Sequence, residues 1–197
     1  MKREPRHAVF LDRDGVINLP VVRDGKPYPP ATVDEMQIFS DVGDALARLR
    51  SLDFSLFVVT NQPDVARGSQ ERSVVEAMHS VLLDRLPLDG IYVCYHDDAD
   101  LCECRKPKSG LLRRAAMEHD IDLRRSYMVG DRWRDINCGR AAGCTSIFVD
   151  RGYLEPLRQP PHYRVGGLAG AADVITSLGT KETHQWAARP FQFQADL

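Results

Sequence analysis

The chain has no apolar run of membrane-spanning length, and its opening MKREPRH leads into a strand without the hydrophobic region of a signal peptide. Both absences point to a soluble, cytoplasmic protein. Neither sign of charge dominates: 26 Lys and Arg stand against 28 Asp and Glu, a net charge of −2 that gives no basic footprint, and neither nucleic acid nor a membrane is expected as a partner. Cysteine is sparse and odd in number, five in all, which argues against a disulfide framework. Internal repeats and low-complexity runs are missing too, so a repeat array is excluded. What remains is 197 residues, long enough for one domain with a proper core and a tail. The domain is expected over 1–178. From 179 to 197 the patterning is lost, and Trp186, Phe191 and Phe193 fall in what reads as a frayed terminus.

The chain is organised around AVFLDRDGVIN at 8–18. Val9, Phe10 and Leu11 run continuously instead of alternating, the pattern of a parallel strand buried on both faces, and Gly15 then lets the chain turn. Asp12 and Asp14 are thereby delivered to the carboxyl end of a strand, the edge where open α/β sheets bind ligands. Residues 19–40 carry Pro20, Pro27, Pro29 and Pro30 and read as a loop over that edge, with Arg23, Lys26 and Tyr28 within reach of a ligand. Asp41 is placed to cap a helix bearing Val42, Ala45, Leu46, Leu49 and Leu52 at helical spacing. A second strand, 54–59, ends in Thr60-Asn61-Gln62, where a hydroxyl and an amide can donate to phosphate oxygens without adding charge. A turn carrying Arg67 leads into a helix over 69–86. A third strand follows at 90–95. A fourth, 126–129, ends in Gly130-Asp131, with Asp135 one helical turn on; a fifth spans 145–149 and a short sixth is expected at 172–175.

Three of the five cysteines cluster beside a histidine. Cys94 and His96, then five residues, then Cys102 and Cys104 form two hooks offering four soft or borderline ligands, which suits a closed tetrahedral zinc site with no open position for water. The stapled loop feeds Arg105-Lys106-Pro107, where Lys106 can neutralise a phosphoryl group and Arg105 can grip another anionic or hydroxyl group.

Taken together, DRDGV at 12–16, Thr60-Asn61, Lys106 in RKP and GDRWRD at 130–135 resemble the haloacid dehalogenase-like phosphatase superfamily, in the family's order. The resemblance implies an α/β fold, a Rossmann-like parallel sheet with helices on both faces, and no large cap domain. It implies Mg²⁺, with Asp12 as nucleophile and Asp14 as general acid/base, protonated in the first step. Thr60 and Lys106 would hold the phosphoryl group. Asp131 would join Asp12 and the Asp14 backbone carbonyl on the metal, and Asp135 would orient Asp131 from behind. Asn61, Arg105 and Arg67 are expected to bind beyond the transferred phosphate. The zinc loop is similar to that of a subgroup with two branches, one acting on a heptose bisphosphate and one on histidinol phosphate. The single-domain length and the TNQ and ARG runs favour the first. The five-residue spacer and the acidic Asp97, Asp98 and Asp100 favour the second, since an amine prefers carboxylates. The partner is in either case a small phosphorylated metabolite, and the enzyme a monomer or weak oligomer. A non-catalytic sugar-phosphate sensor with the same zinc loop would need neither Asp12 nor Asp14.

Overall fold

The computed structural model describes residues 5–187. Thirteen elements follow in order: β1 (Ala8–Leu11), β2 (Val21–Arg23), β3 (Lys26–Tyr28), α1 (Val42–Ser51), β4 (Ser55–Asn61), α2 (Arg72–Arg85), β5 (Gly90–Cys94), α3 (Gly110–His119), β6 (Tyr127–Gly130), α4 (Trp133–Ala142), β7 (Thr145–Val149), β8 (Tyr163–Val165) and α5 (Leu168–Ala187). Six strands form one parallel sheet in the order β5-β4-β1-β6-β7-β8, and β2 pairs antiparallel with β3 as a separate ribbon. From β1 the chain moves outward through β4 to β5, then returns to place β6 on the other side of β1. That reversal opens a crevice beyond the carboxyl end of β1, where such sheets take ligands.

All four residues of β1 are buried because both faces are covered. Val9 and Leu11 pack with Leu46 and Leu49 of α1, Leu82 of α2 and Ile175 of α5, while Ala8 and Phe10 pack with Leu111, Leu112 and Ala115 of α3 and Cys138 of α4. Each such buried side chain contributes roughly 1.5–3 kcal/mol relative to exposure, which holds the strand ends still enough to carry a site.

Three expectations from the sequence change here. The sixth strand is Tyr163–Val165, and 172–175 lies inside α5 instead, with Leu168, Ala171, Ala172 and Ile175 all buried on one helical stripe. Asp41 precedes α1 without a side-chain cap bond; its carboxylate accepts the Ala169 amide of α5. The α5 backbone runs to Ala187, so the helix continues into the expected tail, while Phe191 and Phe193 lie outside the described residues. Between β1 and α1 the described chain carries only the β2–β3 ribbon, and no large cap is present among the described residues. No described helix is long and apolar enough to cross a membrane.

Candidate active site

The sheet brings strand-end residues far apart in sequence to one crevice of about 260 Å³, whose walls include Asp12, Asp14, Thr60, Asn61, Arg67, Arg105 and Lys106. Lys26 and Tyr28 of the ribbon close one side; Arg23 stacks on Tyr28 and is not among the lining residues.

At the floor, Lys106 is 2% exposed, and its Nζ lies 2.8 Å from Asp12 Oδ1 and 2.6 Å from Asp135 Oδ1 and donates to the Val59 carbonyl at 2.7 Å. An ammonium has three protons, and these contacts use all three. Burial works against the lysine's charge, but the two carboxylates hold its pKa well above the ordinary value. Asp12 is pushed up to about 6, chiefly by burial, with Lys106 opposing. Asp131 is buried with neither carboxylate oxygen in a well-formed hydrogen bond, and burial followed by the charges of Asp12 and Asp135 raises its pKa far above the usual carboxylate range, the adjacent Tyr153 hydroxyl opposing. The Tyr153 hydroxyl is buried beside Asp131, and burial followed by that carboxylate's charge raises its pKa well above the ordinary value.

One oxygen each from Asp12, Asp131 and Asp135 lie within 4.8 Å of one another. Three buried carboxylates against one ammonium leave two negative charges uncompensated when all are ionised, and buried charge of that kind requires a counter-ion. Orphaned oxygens and a deficit of two fit a hard divalent cation such as Mg²⁺. Only glycine fits facing them: Gly15 has φ +87°, and a Cβ there would stand 1.8 Å from Asp131 Oδ2.

Asp14 stands outside that group of three. Its carboxylate is clasped by the Arg13 guanidinium at 2.9–3.2 Å and takes the side-chain amides of Asn18 and Gln62 at 3.0 Å each. Burial alone would raise its pKa, but Arg13, Asn18 and Gln62 overcome this and lower it. The resting site therefore holds Asp14 as a carboxylate, not as the protonated acid expected from the sequence. Arg13 is itself fully buried, with Nη1 3.1 Å from His79 Nε2; burial, with Arg13 adding to it, pushes that histidine down to about 4, so it is neutral.

The other strand-end residues divide their work. Thr60 is buried and its hydroxyl accepts from Gln62 Nε2 at 3.0 Å. The Asn61 amide bonds both backbone groups of Lys106, at 3.0 Å each, and so fixes the lysine across the crevice. Asp135 makes no hydrogen bond to Asp131: its oxygens take Lys106 Nζ and the Arg132 amide, so it steadies the lysine and the start of α4. Arg13, Gln62, Arg132 and Arg134 lie inside the DRDGV, TNQ and GDRWRD motifs, where nothing in the sequence separates their roles from those of their neighbours, whereas His79 carries no signal beyond a polar residue on a buried helical face.

The cysteine hooks do converge. Cys94 Sγ lies 3.7 Å from His96 Nδ1, 3.7 Å from Cys102 Sγ and 3.3 Å from Cys104 Sγ, while Cys104 lies 3.3 Å from His96 Nδ1 and 3.5 Å from Cys102. A tetrahedron with metal–sulfur bonds of about 2.3 Å has edges of about 3.7 Å, so four donors so spaced could hold one such ion. All five cysteines are free thiols. Lys108 closes the loop on the Leu101 and Cys102 carbonyls at 3.2 and 2.8 Å.

The acidic residues beside that loop are each engaged. Asp97 pairs with Arg67 at 2.6 Å, and Asp100 accepts the Asp97 amide at 2.7 Å. Asp98 Oδ1 takes Arg105 Nε at 2.7 Å and also Arg134 Nη1 at 3.2 Å.

A family model described as "HAD-hyrolase-like" matches residues 103–171. The D-glycero-beta-D-manno-heptose-1,7-bisphosphate 7-phosphatase of Pseudomonas aeruginosa is 38% identical over 152 residues, covering 75% of this chain and 83% of the relative. The D-glycero-D-manno-heptose-1,7-bisphosphate 7-phosphatase of Thermosynechococcus vestitus is 36% identical over 194 residues, covering 87% and 96%. Among solved structures, the D,D-heptose 1,7-bisphosphate phosphatase of B. bronchiseptica complexed with magnesium and phosphate superposes with a TM-score of 0.74 at 30% identity, covering 87% of this chain and 99% of that one.

Proposed function

This chain belongs to the haloacid dehalogenase-like phosphatases, and from that premise we propose that it removes the 7-phosphate of D-glycero-D-manno-heptose 1,7-bisphosphate through an aspartyl-phosphate. The observation that carries the reading is the Asp12–Lys106–Asp135 cluster beside the orphaned Asp131: a nucleophile, a fixed ammonium and a charge deficit of divalent size at one strand edge.

Asp12, Asp131 and the Asp14 backbone carbonyl would hold Mg²⁺, which when bound offsets the repulsion between a carboxylate and a phosphate dianion. A free Asp12 oxygen attacks phosphorus in line; the O–P bond to Asp12 forms as the P–O bond to the sugar breaks. Lys106, held on three sides, neutralises charge on the transferring group without having to reorganise. Asp14 begins as a carboxylate; the dianion arriving beside it raises its affinity for a proton by like charge, and it takes one from solvent as the substrate binds. It then gives that proton to the departing sugar oxygen and takes one back from the water that cleaves the aspartyl-phosphate. Thr60 lines the same end of the crevice, and because Gln62 is the donor in their hydrogen bond the Thr60 hydroxyl proton is left to point at a phosphate oxygen.

Cys94, His96, Cys102 and Cys104 would hold Zn²⁺ as a closed structural site, fixing the loop that ends in Arg105-Lys106. Arg105, Arg67 and Asn61 are the residues placed to meet the sugar and its second phosphate. The histidinol-phosphate alternative loses much of its support, since Asp97 is paired with Arg67 and Asp98 with Arg105 and Arg134, which leaves of the three only Asp100, bonded to the Asp97 amide, without an ion pair. The test is Mg²⁺-dependent phosphate release from heptose 1,7-bisphosphate and histidinol phosphate side by side. The reading expects kcat/KM to favour the bisphosphate by at least about tenfold, the discrimination that about 1.4 kcal/mol supplies; equal rates, or a preference for histidinol phosphate, would reject it.

A further inference from the structure

A buried chain of polar groups runs from the face of α2 to the back of Asp14. Val75, Met78, His79 and Leu82 are the buried residues of α2, and His79 alone among them is polar. A helix face that only covers a sheet needs no imidazole, and a buried one costs free energy unless it is hydrogen-bonded. His79 Nε2 lies 3.1 Å from Arg13 Nη1; since a guanidinium can only donate, the ring nitrogen accepts and the ring carries its proton on Nδ1. Arg13 is 0% exposed, so Nη1 is closed off from bulk water. At its other edge Arg13 sets Nε and Nη2 on the two oxygens of Asp14 at 2.9–3.2 Å, while Asn18 adds an amide to Oδ1 and Gln62 one to Oδ2, at 3.0 Å each. Of these three partners only Gln62 lines the crevice, so Arg13 and Asn18 grip the carboxylate from behind.

We propose that His79 is a positioning residue for departure of the sugar oxygen: it fixes Arg13, and Arg13 aims the Asp14 carboxyl at that oxygen. The inference rests on the reading of Asp14 as the proton carrier. A guanidinium engaged along one edge can still pivot about that edge, and Asp14 would turn with it. The acceptor on α2 removes this freedom, because α2 is itself held by the burial of Val75, Met78 and Leu82. His79 is not among the residues that line the crevice, and so it acts through Arg13 alone. The aim of a general acid matters most where the leaving oxygen is basic: a sugar alkoxide needs its proton as the P–O bond breaks, whereas p-nitrophenolate leaves without one.

The experiment measures kcat/KM for heptose 1,7-bisphosphate and for p-nitrophenyl phosphate in the zinc- and magnesium-loaded wild type, in His79→Leu and in His79→Gln. Because kcat/KM reports the steps up to loss of the leaving group, the later attack of water, common to both esters, does not enter it. Leu supplies bulk without an acceptor, and Gln offers an amide oxygen to Nη1. The ratio of sugar ester to aryl ester should fall by about tenfold or more in His79→Leu, within the roughly hundredfold that a misplaced group can cost, and stay within about threefold of wild type in His79→Gln. A helix merely loosened lowers both esters alike; an unmoved ratio, or one as low in Gln as in Leu, overturns the inference. A second measurement needs no active variant: nitrogen NMR of the wild type, with the His79 signal identified by its loss in His79→Gln, should find a neutral ring protonated on Nδ1. A proton on Nε2 overturns the inference even where His79→Leu fails to fold. Wild-type enzyme active on the aryl ester but not on the bisphosphate overturns the substrate reading instead, and the ring spectrum still tests His79.

Discussion

Replacing Lys106 with Met retains the length of the side chain and removes its charge from a position where no water can take its place. The ammonium touches Asp12 at 2.8 Å, Asp135 at 2.6 Å and the Val59 carbonyl at 2.7 Å, and the residue is 2% exposed. Removing one member of a buried, hydrogen-bonded ion cluster costs about 3–5 kcal/mol, because the partner charges stay behind without compensation. For a chain of this size each kcal/mol moves Tm by roughly 2–4 °C, so the variant should melt about 6–20 °C below wild type in magnesium-free buffer at neutral pH. The loss should depend on pH. In the metal-free protein Asp12 has its pKa raised to about 6 from 3.8, chiefly by burial with Lys106 opposing, so its folded form binds the extra proton. Stability from such a group is fully present below about pH 4 and is lost as pH rises through about 6. Without Lys106 the Asp12 carboxyl is pushed higher still, and the deficit against wild type should be larger at pH 8 than at pH 5. Differential scanning calorimetry of both proteins across that range, with zinc retained, measures it. A Tm within 2 °C of wild type at neutral pH, or a deficit that does not change between pH 5 and pH 8, would refute the charge accounting on which the site is built.

Asp12→Asn should lower turnover by about a thousandfold or more, as removal of one member of a catalytic unit does, and retention of about a tenth of the wild-type phosphate release would exclude Asp12 as the nucleophile. Gly15→Ala drives a Cβ to within 1.8 Å of Asp131 Oδ2 at a φ of +87°, so Mg²⁺ affinity by titration calorimetry should fall by about tenfold or more, and an unchanged affinity would separate Asp131 from the metal. Cys94→Ser removes the most buried of the four hook ligands; metal analysis should find well below one zinc per chain, with the Lys106 loop more open to protease, and full zinc occupancy would show that the hooks do not act as one site.

What the residues disclose before folding follows from how local each feature is. The sheet was legible because strands covered on both faces, such as Ala8–Leu11 and Ser55–Asn61, must be apolar throughout, and polar residues then mark their ends. The hooks were legible because ligands within one short loop reveal their spacing. The edge strand was not, since the three residues of Tyr163–Val165 are too few to establish a period, whereas the apolar stretch at 172–175 looks like a strand until it is joined to Leu168 and Ala171 at helical spacing. The state of each carboxylate was illegible for a deeper reason. Asp12, Asp14 and Asp131 are the same residue type at three strand ends, yet Asp12 meets Lys106, Asp14 meets Arg13, Asn18 and Gln62, and Asp131 faces the Tyr153 hydroxyl and no cation among the described residues within ion-pair distance. Those partners come from separate elements, and burial amplifies whatever charge they bring. The same chemistry thus yields an attacking group, a clasped proton carrier and an open ligand only once the sheet has assigned each its neighbours. It follows that the residues holding partners in place, Asn61 on Lys106 and His79 beside Arg13, decide the roles of carboxylates they do not hydrogen-bond.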